Sequence, residues 1–268
     1  MTTPRVYKTE AIVLKRMNLG EADRILTLYT PNLGKFKAIA KGVRRPKSRL
    51  GGHVELLSHS ALMLARGRNL DIITQGETIS SFLPLRGDLW RASVAFYAAE
   101  LVEQFTPERV ENYPLYKLLL NTLHWLCEAQ DGELTLRYFE LHLLTHLGYK
   151  PQLDQCLGCK TSLEPTTNFF SPSGGGVLCP QCRGEEPLAR PISLNALKVM
   201  RFLQKSEYAK ASRVRLNAEL SRELEQTMRH YIRYLLEREV KSVEFLDRLR
   251  REDNLFSALD YVVRQIEE

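Results

Sequence analysis

Near residue 83 the spacing of apolar side chains changes from every second residue to every third or fourth, and one layer of regular structure cannot satisfy both periods. Upstream, "EAIVLKR", "RILTLYT", "KFKAIAKGV", "HVELLSHSALMLA" and "LDIITQGETI" are short, β-branched runs. Turn signals such as Pro31-Asn32-Leu33-Gly34 and Gly67-Arg68-Asn69 separate them. Five strands in so little chain predict a small closed barrel, of the OB type or an SH3-like one.

Downstream, "DLWRASVAFYAAELVEQF", "YPLYKLLLNTLHWLCEAQ" and "ELTLRYFELHLLTHLG" repeat as amphipathic helices, with Pro107 and Pro114 where helices stop and start. Ser193 and Asn217 are the expected N-caps of two later helices, "LNALKVMRFLQKS" and "AELSRELEQTMRHYIRYLLERE". "NLFSALDYVVRQIEE" reads as a short terminal helix. The predicted class is therefore α+β and multidomain: a barrel over 1–82 and an all-helical domain over 83–268, interrupted by an insert at 150–190.

Charge is unevenly divided between these parts. Residues 1–80 hold fourteen Lys and Arg against six acids, whereas residues 81–268 hold 24 against 26. The excess points to a polyanion docked on the barrel. It is densest in "AKGVRRPKSRLGG", which has five cations and no acid. On "KFKAIAKGV" a period of two sets Lys35, Lys37 and Lys41 on one face and Phe36, Ala38 and Ala40 on the other. The expected phosphate contacts are Lys35, Lys37, Lys41, Arg44, Arg45, Lys47 and Arg49, with Arg24 on the neighbouring strand. No recognition helix accompanies them, so readout of base sequence is expected to be weak.

Cys156-Leu157-Gly158-Cys159 and Cys179-Pro180-Gln181-Cys182 form two CxxC knuckles, whose four thiolates can close tetrahedrally on one zinc ion. Four sulfurs fill the shell, so the site is expected to be structural rather than catalytic. Between them "NFFSPSGGGVLC" predicts a hairpin turning at 174–176, and Cys127 reads as a buried small hydrophobe.

Catalytic signatures are missing. Glu21 and Asp23 lie on a turn, Glu185-Glu186 in a loop, and no set of carboxylates for a two-metal nuclease is evident. His142 and His146 share a helix face but lack the general-base Glu of a zincin. There is neither a phosphate-binding glycine loop nor a GxSxG serine. No secretory leader and no apolar run near the ~20 residues of a membrane span are present, which reads as an intracellular chain without membrane attachment.

"EAIVLKRMNLGEADRILTLYTPNLGKFKAIAKGVRRPKSRL" resembles the N-terminal region of the RecO family of bacterial recombination mediators. "LRYFELHLLTHLGYKPQLDQCLGC", "FSPSGGGVLCPQC" and "YLLEREVKSVEFL" extend the likeness to about Leu246. The resemblance implies an OB fold and a helical domain holding a zinc-binding insert, on a cytoplasmic, nucleoid-associated protein that is not an enzyme. It implies binding to single- and double-stranded DNA, strand annealing, and work with RecR to load recombinase onto strands coated by single-stranded DNA-binding protein. It also implies that the helical domain takes the acidic tail of that coating protein; the resemblance does not identify the residues, and among the domain's cations Lys117, Arg137, Arg229 and Arg233 are the candidates. The competing readings are a sequence-reading zinc-ribbon regulator or RNA-binding protein, and a metal-dependent nuclease.

Overall fold

A computed structural model describes residues 5–129, 131–249 and 251. The terminal helix expected at 254–268 lies outside the described residues. Strands β1 (Val6–Leu19), β2 (Asp23–Thr30), β3 (Gly34–Ala40), β4 (His59–Ala65) and β5 (Asp71–Ser80) hydrogen-bond in the closed order β1-β2-β3-β5-β4. Only the β3–β5 pair is parallel, with Ala38 opposite Asp71 and Ala40 opposite Ile73. The expected strand "HVELLSHSALMLA" begins late, at His59; His53 closes a 3-10 turn over Gly51–His53, and residues 54–58 are loop.

The two faces of β1 go to different cores. Ala11 and Val13 point into the barrel with Leu26, Leu28, Phe36 and Leu62. Ile12 and Leu14, together with Tyr29 and Leu57, join the apolar cluster of the helices. A strand covered on both sides has no polar alternation, which is why "AIVL" is an unbroken apolar run.

Helices α1 (Leu83–Arg86), α2 (Leu89–Phe105), α3 (Tyr113–Glu128) and α4 (Gly132–His146) follow, then α5 (Leu194–Lys205), α6 (Tyr208–Ala211) and α7 (Ala218–Leu236); residues 241–249 are again helical. Side chains of Asp88, Asn112 and Asp131 each accept the N3 amide at 3.0 Å, which fixes where α2, α3 and α4 begin. Ser193 and Asn217 cap α5 and α7 as the sequence predicts. Helix α4 is buried on all sides from Leu134 to Leu141, so Arg137 and Glu140 are carried into the core, where Nη2 and Oε1 approach to 3.0 Å. Among the described residues no helix is long and apolar enough to cross a membrane.

The helical region is not purely helical. Strand β6 (Asn168–Ser171) pairs with β7 (Gly176–Leu178), giving the expected hairpin, and also with β8 (Arg190–Ile192), which its sequence does not announce. Pro191 at the centre of β8 is tolerated because that strand has β6 on one side only.

Candidate nucleic-acid interface and metal centre

The strand order puts the β1–β2 turn and the long β3–β4 connection at one end of the barrel. That connection carries the basic stretch. Its backbone is folded onto the turn: Asp23 Oδ1 accepts the Gly42 amide at 2.7 Å, and the Arg44 amide reaches the Ala22 carbonyl at 2.9 Å. Arg44 Nη1 also donates to the Gly20 carbonyl at 3.1 Å, and the Ser48 amide closes a turn on Arg45. Asp23, which reads in sequence as a surface acid, is thus the anchor of the loop.

Lys41, Arg44, Arg45, Lys47 and Arg49 are all exposed, and among the described residues none of them is in an ion pair. Five exposed cations on one folded loop, unpaired among the described residues, make a positive surface suited to a phosphate backbone.

The other three expected contacts lie elsewhere. Lys35 is 9% exposed, and its ammonium donates to the Glu103 carbonyl of α2. Burial drives its pKa down, with Glu103 and Glu108 pulling the other way. The cause is the segment after α2: the Arg109 amide binds the Lys35 carbonyl at 2.7 Å, and Val110 closes so tightly on Gly34 that a Cβ there would lie 2.0 Å from its carbonyl oxygen. The cationic face expected along β3 is therefore roofed at its start. Lys37 is exposed but pairs with Glu108 at 3.2 Å. Arg24 is held by Glu55 at 3.4 Å, and the same carboxylate also takes Arg16. These partners are 31 or more residues away in sequence, so local pattern gives no sign of them.

The four cysteines do converge. Sγ atoms of Cys156, Cys159, Cys179 and Cys182 lie within 4.8 Å of one another, a donor set that could hold a metal ion. Burial would raise the Cys156 thiol, but amides of Cys179, Cys159 and Gly158 point at its sulfur and hold its pKa well below the usual thiol value. The Cys179 amide is 3.3 Å from that sulfur. Gly158 leaves the room the knuckle needs, since a Cβ would come 2.9 Å from the Cys182 sulfur. Between the knuckles, β6 is packed through Phe170 against Tyr231 of α7, ring centroids 5.3 Å apart, so the hairpin that joins the cysteine pairs is seated on the helices.

Of the candidate tail contacts, Arg137 is 3% exposed and engaged by Glu140. Arg229 is taken by Glu225 at 2.6 Å and Asp247 at 2.7 Å, and Arg233 by Glu239 at 3.2 Å. Lys117 is exposed. His142 is half-buried, with Nε2 3.0 Å from the Leu203 carbonyl, and Cys127 is half-buried with its thiol pKa raised by burial.

Family models match nearly the whole chain. A family model described as Recombination protein O N terminal matches residues 1–82, and one described as Recombination protein O C terminal matches residues 86–244. The DNA repair protein RecO of Dehalococcoides mccartyi is 45% identical over 253 residues, covering 94% of this chain and 100% of its own length. That of Roseiflexus sp. (strain RS-1) is 47% identical over 247 residues, covering 92% and 87%. The Symbiobacterium thermophilum protein of the same name is 42% identical over 248 residues, covering 91% and 98%. With both halves matched in order, the chain belongs to the RecO family.

Proposed function

We propose that this protein is a non-enzymatic DNA repair and recombination mediator that binds single- and double-stranded DNA through backbone charge and anneals complementary strands. The observation that carries the reading is the folded loop of five exposed cations, Lys41, Arg44, Arg45, Lys47 and Arg49, free of ion pairs among the described residues. Two single strands repel through their phosphates. Neutralising the backbones while leaving base edges unread lowers that repulsion and lets the bases find each other, with no covalent step and no nucleotide hydrolysis.

The remaining assignments follow the same family reading. The barrel order 1-2-3-5-4 with a parallel β3–β5 pair supports an OB fold over 1–82, followed by a helical domain over 83–268 with a metal-binding insert at 150–190. All-sulfur donors at this spacing suit one structural zinc ion. RecR and the acidic tail of single-stranded DNA-binding protein are the proposed protein partners, in the cytoplasm at the nucleoid. Because Arg137 is buried, Lys117, Arg229 and Arg233 are the tail contacts retained.

Salt titration of oligothymidylate binding is the test. Five phosphate contacts at about 0.7 each give a slope of log K against log salt near −3.5, roughly a hundredfold loss between about 50 and 200 mM. Substituting Arg44, Arg45, Lys47 and Arg49 together by Ala should leave a slope of about −0.7. A slope that stays at the wild-type value would remove this loop from the interface.

A further inference from the structure

The opposite end of the barrel carries a second group of exposed cations. The start of β1, the end of β4 and the start of β5 meet there, Val6 opposite Ala65 and Ala65 opposite Ile72. The Arg66 amide donates to the Arg5 carbonyl at 2.9 Å, which brings those two residues together. Arg66 and Arg68 flank Gly67, and a Cβ on that glycine would lie 1.9 Å from the Leu70 carbonyl, so the β4–β5 turn is tight and its cations have a fixed root. Arg109 comes in from the segment after α2.

Two of these guanidiniums lie on aromatic rings. Arg66 sits over Tyr7 at 5.1 Å from the centroid and Arg109 over Phe36 at 5.1 Å. Asp71 ties the pair together: its Oδ2 accepts from the Tyr7 hydroxyl at 2.6 Å and lies 3.3 Å from Arg109. A guanidinium held over a ring has given up part of its rotamer freedom already, so it loses less on meeting a phosphate. Asp71 and the Glu108–Lys37 pair are the nearby counter-charges. They leave Arg5, Arg66 and Arg68 exposed without an ion pair among the described residues, and Arg109 half-exposed.

This group is not a continuation of the basic loop. The loop follows the ends of β1 and β3, whereas Arg5 precedes β1, Arg66 and Arg68 follow β4, and Arg109 lies beside Lys35 at the start of β3. Along β1 fourteen residues lie between Arg5 and the β1–β2 turn, at most about 45 Å at 3.3 Å per residue, while across the parallel pair Asp71 stands opposite Ala38, three residues before Lys41. Annealing needs two backbones neutralised at once, and one barrel with two separated cationic ends meets that need within a single chain.

Building on the DNA-binding reading, we infer that Arg5, Arg66, Arg68 and Arg109 form a second single-strand site, which receives the complementary strand while the Lys41–Arg49 loop holds the first.

The test loads the full chain with donor-labelled oligothymidylate and titrates in acceptor-labelled oligocytidylate, which cannot pair with it. Energy transfer and anisotropy are read together, and sedimentation scores capture per chain. Wild type should take the second strand with its own salt dependence. R66A/R68A should flatten that second slope by about 1.4, two contacts at about 0.7 each, while the first-strand slope and the thermal unfolding midpoint stay at wild-type values. R44A/R45A should show the reverse. The charge-keeping R66K/R68K variant should recover the second slope.

Three results overturn the inference: wild type that binds the first strand but captures no second, an unchanged second slope in R66A/R68A, or a fall in its first-strand slope, which would mean one strand running over both ends. Wild type that binds no strand even at low salt would instead sink the DNA-binding reading itself, and the inference with it.

Discussion

The Tyr116 hydroxyl lies 3.0 Å from Nε2 of His59, joining α3 to β4 where the barrel meets the helices. Glu10 of β1 approaches the same nitrogen at 3.1 Å. Burial pushes the His59 pKa down; the Glu10 hydrogen bond and charge pull it up, and His124 adds to the lowering. A histidine kept neutral in the fold contributes stability that is complete above its unfolded pKa of about 6.5 and is lost as pH falls through its lower folded value. Tyr116→Phe should cost about 1 kcal/mol in denaturant unfolding. His59→Gln should reduce the loss of stability below about pH 6.5, read from unfolding at a series of pH values.

The buried Arg137–Glu140 pair should behave in the opposite sense. Burial raises the Glu140 pKa to about 6 against the pull of Arg137. Its stability contribution is greatest below the unfolded carboxylate pKa of about 4.3 and is lost as pH rises through about 6. Arg137→Ala strands the carboxylate and should destabilise by about 3–5 kcal/mol at neutral pH, whereas Arg137→Met with Glu140→Leu should be near neutral or stabilising. Urea midpoints of the three proteins check this.

Lys35→Ala separates structure from binding. The side chain is roofed by the Glu108–Val110 segment, so its loss should leave the oligothymidylate salt slope at the wild-type value. Stability should fall by about 1–2 kcal/mol, from a lost hydrogen bond and a lost alkyl stem.

Glu55 restrains two cations near the basic loop, Arg16 and Arg24. Glu55→Gln should free both, tightening single-strand binding at low salt and steepening the slope by up to about 1.4. A flatter slope would show that neither arginine faces the strand.

Purified protein should carry a single zinc ion per chain, and Cys179→Ser should lose it, both read by elemental analysis. Metal binding in small cysteine sites is worth about 10–16 kcal/mol of apparent free energy, most of it coupled to local folding. Proteolysis of the variant should therefore begin within 150–190 while a fragment containing the barrel persists.

Much of this architecture is readable in the sequence because its determinants are local. Short β-branched runs between turn signals announce the five strands, Ser193 and Asn217 announce the starts of α5 and α7, and the CxxC spacing announces the sulfur cluster. What escapes is set by contacts distant in sequence. Lys35 alternates onto an outer face, but that face is covered by residues beyond 100. Arg24 looks like a free cation until Glu55 folds back onto it. Strand β8 is three residues long and holds a proline, so only its pairing with β6 defines it. Arg137 sits in an amphipathic-looking helix that turns out to be enclosed on every side.

Ile12, Leu14, Tyr29 and Leu57 have consequences for anyone wishing to study the amino-terminal part in isolation. A gene cut after codon 82 would yield a fragment wearing a greasy flank where the helices had been, and it should precipitate or self-associate on expression. The two halves are better regarded as a single casting than as beads on a string: pulling on α2 or α3 tugs directly on the strands from which the basic loop hangs.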